Sequence, residues 1–466
     1  MASTSSSSPA MATAPVASLS ATLAPVIALL FGYAMLQMGN TLQSSLLTVR
    51  GGLEGFTATQ IGLVGSGFYI GLMLGSLRGG QLVRVVGHTR AFAALAAIAS
   101  SVPLLHLMLI HPWLWPVGRA LTGFCFAGLF IVVESWLNGA SASAVRGRIL
   151  SIYGMTGMIA GVCGQMLLTA APPRGFVLFC LISMIISFAL VPVVLSRAQA
   201  PAQAEGAAEL NLRRLYEQSP FGVVAAFLIG VSTGAYYSLG PLFAQRIGLD
   251  AGSVAIFMAC GSLGGFAATW PAGWLSDRID RRLLVVSLAG AAAMALLAMI
   301  LLVPDHPPRW LSYSLVAAFG AMVIPAYSLV LAHVNDHVSP SEFAAASGGL
   351  LILWGAGSAL GPFAGGLAMG RLGPSGLGWL ILSAQALIAG WGLYRMRQRS
   401  APEAKEDFLV MPVQPVSTEL VAVAQEAAVE REEIAQAEEA GTVAEDGEAP
   451  PGRPAAAPAG ETDRQA

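Results

Sequence analysis

Charged residues are scarce in this chain of 466 residues. They make up 11% of the sequence, whereas a soluble domain carries about 25%, and 55% of the residues are hydrophobic. Only one lysine is present, Lys405. A phosphate-binding loop of the Gly-x-x-x-x-Gly-Lys type needs a lysine beside its last glycine. The sequence therefore argues against ATP-driven work by this chain alone.

Cysteine is also rare, and the four cysteines all fall inside apolar segments: Cys125, Cys163, Cys180 and Cys260. None has the spacing of metal ligands, so we interpret them as small packing residues. The sequence contains no nucleophile elbow and no cluster of His and Cys with metal spacing. We expect no catalytic residues, no metal, no cofactor and no nucleic-acid partner.

Long apolar runs dominate what is present. Runs of about 20 residues recur from Leu23 to Tyr394, and each is long enough to cross a hydrocarbon core about 30 Å thick. They predict an all-α polytopic membrane protein embedded in the lipid bilayer. We place twelve spans at residues 22–46, 58–80, 91–110, 113–137, 148–170, 174–196, 220–243, 252–275, 282–303, 309–335, 340–370 and 374–395.

The two ends differ in composition from the middle. Residues 1–20 lack charge and lack the basic region of a signal peptide, which predicts a disordered leader. The residues after 400 hold 15 of the 26 acidic and 4 of the 24 basic residues. That composition predicts an acidic disordered tail over 397–466. A polar connecting loop, 197–219, divides the spans into an N-terminal bundle, 21–196, and a C-terminal bundle, 220–396.

Arginine is distributed unevenly between the loops on the two sides. With both termini in the cytoplasm, the cytoplasmic loops carry 15 Lys and Arg residues and the opposite loops carry five: Arg50, Arg174, Arg246, Arg309 and Arg371. Cytoplasmic loops are enriched in Lys and Arg. The bias predicts an integral plasma membrane protein, in a bacterium the inner membrane, with both termini cytoplasmic.

A polar turn is repeated at half-chain spacing. Gly273 to Arg282 reads GWLSDRIDRR between two apolar segments, and about 190 residues earlier Gly80 to Gly87 reads GQLVRVVG in the same setting. A repeat of this kind predicts two homologous, pseudo-symmetric six-helix bundles. That arrangement points to a solute transporter.

These features together resemble the major facilitator superfamily. GWLSDRIDRR resembles its signature loop, Arg119 with Gly123 resembles its buried-arginine motif, and GSALGPFAGG at 357–366 is similar to its glycine-proline motif. The glycine-proline motif usually lies on span five, whereas here it lies on span eleven. Arg84 stands where the signature loop normally has Asp. The resemblance implies transport by alternating access and names no substrate.

A finer resemblance is to the YcaD-like branch of that family. It rests on Glu134-Ser-Trp-Leu-Asn138, on Arg146-Gly-Arg148 with Tyr153, and on Ala332-His-Val-Asn335-Asp336 followed by Ser339-Pro340. A run of small residues at 344–349 completes the set. The resemblance covers about residues 22–396.

Ionisable residues inside the membrane are candidates for function because they are expensive to bury. Arg119 lies near the outer end of span four, and Glu134 lies about 22 Å further along the same helix at 1.5 Å per residue. Arg119 needs an acceptor, and span one offers Gln37, Asn40 and Gln43 at comparable depth, with Gln37, Asn40 and Thr41 on one face. The arginine binds a polar or anionic substrate or relays a proton, or else it ties spans one and four together. Further candidates for lining a cavity are Gln165, Tyr236, Tyr237, Tyr327 and Trp354.

The family resemblance implies that each polar turn faces the start of a helix in the opposite half and forms a cytoplasmic gate there. We expect Asp277 to pair with Arg146 or Arg148, and Arg84 to pair with Glu342 or Asp336, as charge-swapped latches. The alternative is that these arginines are unpaired and only set the orientation of the chain in the membrane. Ser339 and Glu342 have the spacing of a capping box at the start of span eleven. Arginines of the second turn complete the gate: Arg278, Arg281 and Arg282.

The sequence thus predicts a monomeric secondary transporter that moves a small molecule, coupled to protons or another ion. Glu134 or Asp336 is the best-placed carboxylate for coupling. The alternative is a membrane receptor or scaffold with a transporter-like body that signals through the acidic tail. Deleting residues 401–466 distinguishes the two, since a transporter would stay active and a scaffold would not.

Overall fold

The computed structural model describes residues 19–139, 143–195, 211–302, 308–339 and 342–398. The leader before residue 19 and the acidic tail after residue 398 lie outside these ranges, so their expected disorder stays a prediction. The described residues form helices and no strands. The helices are α1 (Leu19–Leu53), α2 (Ala58–Val86), α3 (His88–Met108), α4 (Leu114–Gly139), α5 (Ser143–Met166), α6 (Val177–Leu195), α7 (Leu212–Gln218), α8 (Pro220–Arg246), α9 (Ala251–Ser276), α10 (Arg281–Leu302), α11 (Arg309–Val323), α12 (Ala326–Asn335), α13 (Phe343–Leu372) and α14 (Ser375–Met396).

Eleven segments of the described chain are long and apolar enough to cross a membrane. The helix α1 adds a twelfth long helix of 35 residues. The predicted span at 309–335 is divided into α11 and α12, because Pro325 has no N–H to continue the helical ladder. The all-helical polytopic fold predicted from the apolar runs is confirmed.

The polar connection between the halves contains a short helix that the sequence analysis missed. Asn211 begins α7 by accepting a hydrogen bond from the backbone N–H of Arg214, and Leu215 buries its side chain. Seven residues are too few for a clear apolar periodicity, so composition alone gave no sign of this helix.

The helices form two bundles that meet along a seam. In the first bundle, α2 packs on α4, and α1 packs on α5 and α6. The second bundle repeats this pattern, with α8 packed on α13 and α9 packed on α11. Between the bundles, α2 contacts α13, α5 contacts α9, and α1 contacts α8.

Glycines bring helix backbones into direct contact at both crossings within the bundles. A Cβ atom added at Gly71 of α2 would lie 1.8 Å from the carbonyl oxygen of Ala120 on α4, and one at Gly123 would lie 2.0 Å from that of Phe68. The second bundle has the same device, since a Cβ at Gly361 of the glycine-proline motif would lie 2.2 Å from the carbonyl oxygen of Val231. Small residues allow helix backbones to approach this closely, and such packing matters inside a bilayer because no hydrophobic effect drives helices together there.

Replacing Gly71 by alanine tests this close approach. The added methyl group must push α2 away from the backbone of α4, and overpacking of this kind costs about 1–3 kcal/mol. Gly290→Ala on α10 is the matched control, because a Cβ there meets nothing within 4 Å. We expect Gly71→Ala to lower the midpoint of thermal unfolding in detergent and Gly290→Ala to leave it unchanged or slightly raised. Equal midpoints would contradict the packing described here.

Candidate functional site

A polar cavity lies on the seam between the two bundles. Its volume of about 50 Å³ has room for a few water molecules. Helices of both bundles contribute to its wall: Gln37, Asn40, Thr41, Ser44, Ser45, Phe68, Tyr69, Arg119, Gly157, Met158, Gly161 and Gln165 come from the first bundle, and Tyr237, Ser238, Met258, Ser262 and Ile324 come from the second or from its helix break.

Arg119 is the charged residue of this cavity wall. Its side chain is 2% exposed. One guanidinium N–H donates to Oε1 of Gln43 at 3.1 Å, and the guanidinium carbon lies 4.4 Å from the centre of the Phe68 ring. No carboxylate of the described residues forms an ion pair with it. The guanidinium is thus solvated by an amide and an aromatic face but is not neutralised.

Three amides of α1 were expected as acceptors for Arg119, and the structure selects Gln43. Gln37 and Asn40 line the polar cavity, whereas Gln43 is fully buried and is not among the residues that line it. The side-chain nitrogen of Gln43 is buried without a hydrogen-bond partner. The guanidinium on the cavity wall is therefore held by a neutral amide that lies outside the cavity.

Five of the other predicted residues divide between the cavity and its surroundings. Gln165 and Tyr237 line the cavity. The amide of Gln165 donates to the hydroxyl of Ser262 at 3.1 Å, which links α5 of one bundle to α9 of the other. Tyr236 points away, into an apolar cavity within the second bundle. Tyr327 packs its ring against Trp354 at 5.9 Å, and neither residue lines the polar cavity.

Glu134 occupies a separate buried cluster within the first bundle. Its Oε1 accepts a hydrogen bond from the hydroxyl of Tyr153 at 2.8 Å. The ring of Tyr153 stacks on that of Tyr33 with centroids 4.1 Å apart. A Cβ at Gly157 would lie 2.3 Å from the Tyr33 hydroxyl, and Gly157 itself lines the polar cavity. Two tyrosines therefore stand between the buried carboxylate and the cavity.

The second polar turn forms a buried ion cluster centred on Arg281. Its guanidinium donates to the carboxylates of Asp336 and Asp277, to the hydroxyl of Ser276 at 3.0 Å, and to the carbonyl oxygen of Ala332 at 3.1 Å. Arg281 and Asp336 are almost fully buried, whereas Asp277 is half exposed. The remaining arginines of this turn stay local, with Arg282 bound to Asp280 and Arg278 stacked on Trp274.

The expected latch at Arg84 is absent. Arg84 is exposed and forms no ion pair with a described residue. Both acids proposed for it bind other arginines, because Asp336 binds Arg281 and Glu342 binds Arg214 of α7 in the connecting segment. The expected pairing of Asp277 with Arg146 or Arg148 falls on side chains outside the described residues and stays a prediction.

Glu342 ties the connecting segment to the start of α13. It accepts from the amide of Gln218 at 3.0 Å and from the hydroxyl of Ser339 at 3.1 Å. The hydrogen bond from Gln218 is the main cause that lowers the pKa of the Glu342 carboxyl, which stays ionised at neutral pH. The expected capping box is not formed as predicted, since Glu342 itself occupies the N-cap position and makes no side-chain cap bond.

Residues that sequence reasoning did not select include Phe68 and Tyr69 of α2. Both line the polar cavity, and Phe68 contacts the guanidinium of Arg119 directly. The available signal was the glycine pattern around them, since Gly67 and Gly71 bring this part of α2 against α4. Aromatic residues on an apolar helix are common, so this signal does not separate them from lipid-facing ones.

A twelve-helix, two-bundle membrane protein with a polar cavity on the seam is the architecture of a secondary transporter. The family model of the Major Facilitator Superfamily matches residues 29–362. The chain belongs to this superfamily, as the motifs in its sequence predicted.

Relatives in sequence are transporters of the same branch that the motifs indicated. An uncharacterised MFS-type transporter of Enterobacter sp. (strain 638) is 26% identical over 342 residues, covering 72% of this chain and 87% of the relative. The uncharacterised MFS-type transporter YcaD of Salmonella typhimurium (strain LT2) is 25% identical over 341 residues with the same coverage. The predicted similarity to the YcaD-like branch is confirmed.

Solved structures agree on the fold. The nucleoside transporter NupG superposes with a TM-score of 0.69 at 12% sequence identity, covering 82% of this chain and all of NupG. A bacterial homologue of the human lysosomal transporter Spinster superposes with a TM-score of 0.64 at 14% identity, covering 80% of this chain and 96% of the homologue.

The Arg281 cluster makes a prediction about stability. Removing the charge of Asp336 leaves the buried Arg281 guanidinium without its buried counter-charge, and breaking such a pair costs about 3–5 kcal/mol. We expect Asp336→Asn to lower the thermal unfolding midpoint by several degrees or to reduce the yield of folded protein.

The matched control is Asp250→Asn. Asp250 pairs with Arg309 while both side chains are mostly exposed, and an exposed pair contributes about 0–1 kcal/mol. Asn also keeps the N-cap that Asp250 provides for α9. If the two substitutions lower the thermal unfolding midpoint equally, the Arg281 cluster contributes no more to stability than an exposed ion pair does.

Proposed function

We propose that this protein is a secondary transporter that moves a small anionic solute across the membrane by alternating access, with Arg119 as the cation that binds the solute. The observation that carries this proposal is the burial of Arg119 on the wall of a cavity between the bundles, where none of the carboxylates that the structure describes is paired to it.

The energetic argument concerns the missing counter-charge. Insertion scales place the cost of an arginine at the centre of a membrane helix at about 2.5–3.5 kcal/mol. The Gln43 amide and the Phe68 ring offset part of this cost, but neither carries a negative charge. A carboxylate or phosphate bound in the cavity would supply one with charge-assisted hydrogen bonds.

The seam supports movement of one bundle against the other. Hydrogen bonds join the bundles at the arginine-poor ends of the helices, where Thr48 donates to the carbonyl oxygen of Ser238 at 2.9 Å and Gln245 donates to that of Val49 at 3.4 Å. A cavity that holds a few waters must widen before it admits a solute, and rocking of the bundles about the seam widens it.

The setting of the transporter follows from the same features. The arginine-rich ends of the helices face the cytoplasm, in accord with the distribution of Arg between loops. The protein acts as a monomer, because one chain supplies both walls of the cavity. It works without catalytic chemistry on its solute.

Coupling to protons is assigned to Glu134. It is a buried carboxylate inside the first bundle, and Tyr153 and Tyr33 connect it to the wall of the cavity at Gly157. Intramembrane carboxylates of this kind mark proton relays in pumps and transporters. Asp336 is less suited than the sequence suggested, because Arg281 neutralises it.

A ligand screen tests the role of Arg119. Purified protein is screened by thermal shift against a library of anionic, neutral and cationic metabolites, since a ligand stabilises the state that binds it. We expect stabilisation by a subset of the anions, reduced at least tenfold in apparent affinity by Arg119→Gln, because a charge-assisted bond contributes about 1.5–3 kcal/mol. Arg246→Gln, at the exposed C-terminal end of α8, is the control and should behave as the wild type. Hits that persist in Arg119→Gln would reject the proposed site.

A transport assay tests the role of Glu134. In proteoliposomes loaded with a hit from that screen, Glu134→Gln should abolish accumulation driven by a pH gradient and retain exchange of labelled for unlabelled solute. Exchange needs no net proton movement. Loss of gradient-driven accumulation with retention of exchange is therefore expected only if Glu134 carries the proton. Tyr153→Phe is expected to slow gradient-driven transport without abolishing it. Loss of both activities in Glu134→Gln would mean a structural role.

A further inference from the structure

An apolar groove adjoins the polar cavity along the contact between α2 and α13. One stripe of α2 forms one side, at positions 69, 72, 73 and 76, and a stripe of α13 forms the other, at 348, 351, 352 and 355. Both stripes have the i, i+3, i+4, i+7 spacing of a single helix face. The hydroxyl of Ser76 donates to the carbonyl oxygen of Leu72 within its own helix, so the groove presents an apolar surface.

Tyr69 is the wall shared by the two spaces. It lines the polar cavity together with Arg119, and it also lines the groove together with Trp354. The rings of Tyr69 and Trp354 meet edge to face at 6.0 Å, and Phe68 beside Tyr69 is the residue that contacts the guanidinium. A molecule whose charged group is bound at Arg119 can therefore place its apolar part in the groove once that part has passed the Tyr69 ring.

The far end of the groove reaches the outside of the bundle. Leu77 lines it and is 54% exposed. From Tyr69 to Leu77 the groove follows eight residues of helix, about 12 Å at 1.5 Å per residue. Inside a membrane, the exposed end at Leu77 faces lipid, since α2 is one of the segments apolar enough to span the bilayer.

We propose that the solute is an amphiphile with one anionic head group and one alkyl chain, whose head binds Arg119 and whose chain lies in the groove between α2 and α13. This inference rests on the proposed function and specifies its substrate class. The polar cavity alone has room for a few water molecules and not for an alkyl chain, and the residues that line the groove carry no charge. Once the Tyr69 ring moves aside, the two spaces join into one site with a cation at one end and an opening to lipid at the other.

A chain-length series tests the proposal. The protein in lipid nanodiscs is titrated with butanoate, hexanoate, octanoate and decanoate, and the apparent affinity is measured by thermal shift. Burial of a methylene group contributes about 0.8 kcal/mol, which is a gain of about fourfold in affinity for each methylene that enters the groove. We expect the wild type to show this gain until the groove is filled.

Gly355→Leu is the variant that fills the groove. A Cβ at Gly355 meets only Met73, at 3.9 Å, so the larger side chain projects into the groove without striking backbone. Gly370→Leu is the matched control on the same helix, since Gly370 is exposed and lies outside the groove. We expect Gly355→Leu to bind butanoate as the wild type does and to lose the gain with chain length, and Gly370→Leu to keep the gain. Met73→Trp fills the groove from the α2 side and should give the same loss of chain-length gain as Gly355→Leu. The second variant shows that the result does not come from a folding defect in the first.

The possible outcomes separate the two proposals. If the gain with chain length persists in Gly355→Leu and Met73→Trp, the chain does not use the groove, and this inference is wrong while the anion site stands. If Arg119→Gln binds the whole series as the wild type does, the carboxylates bind without Arg119, for example by partitioning into the bilayer. Both the inference and the proposed role of Arg119 then fail. Loss of binding throughout the series in Arg119→Gln, with loss of only the chain-length gain in Gly355→Leu, supports the amphiphile.

Discussion

The close approach of α2 to its neighbours is the constraint on which the rest of the structure depends. Along one face, Gly67, Gly71 and Gly75 bring the α2 backbone against α4, and along another, Gly62 and Gly65 bring it against α13 and α8. The same helix is therefore packed within its own bundle and across the seam. Because backbone contacts leave no slack, they fix where the side chains between these glycines can lie. Those side chains are Phe68, which contacts the Arg119 guanidinium, and Tyr69, which lies between the polar cavity and the groove.

Three arginines show how differently one residue type can be accommodated. Arg281 is buried with two carboxylates, a hydroxyl and a carbonyl oxygen, so its charge is fully compensated and it serves structure. Arg84 is exposed to solvent and carries topological information only. Arg119 is as deeply buried as Arg281 but has only neutral partners among the described residues. A buried charge left without a counter-charge costs stability, and the anionic ligand proposed above would offset that cost.

Features set by composition and period could be predicted from the sequence, whereas features set by side-chain partners could not. Apolar runs and the repeated polar turn were sufficient for the twelve helices and the two bundles, because membrane thickness dictates their length. Depth along a helix offered Gln37, Asn40 and Gln43 as acceptors for Arg119, but which amide on α1 accepts its hydrogen bond depends on helix rotation, and the structure selects Gln43. The Arg84 latch failed for a related reason, since Arg214 of α7 binds Glu342 and Arg281 binds Asp336.

The distribution of polar groups across the seam explains how binding can be coupled to movement. The cation and the buried carboxylate both belong to the first bundle, while Tyr237, Ser238 and Ser262 complete the cavity from the second. In the proposed mechanism, a solute bound by Arg119 would contact both bundles at once and would compete for space with the Gln165–Ser262 hydrogen bond that joins them. A ligand shifts a conformational equilibrium only as far as its affinities for the two states differ. A solute that must separate Gln165 from Ser262 binds the state without this hydrogen bond more tightly than the state with it, and so it shifts the equilibrium between the two.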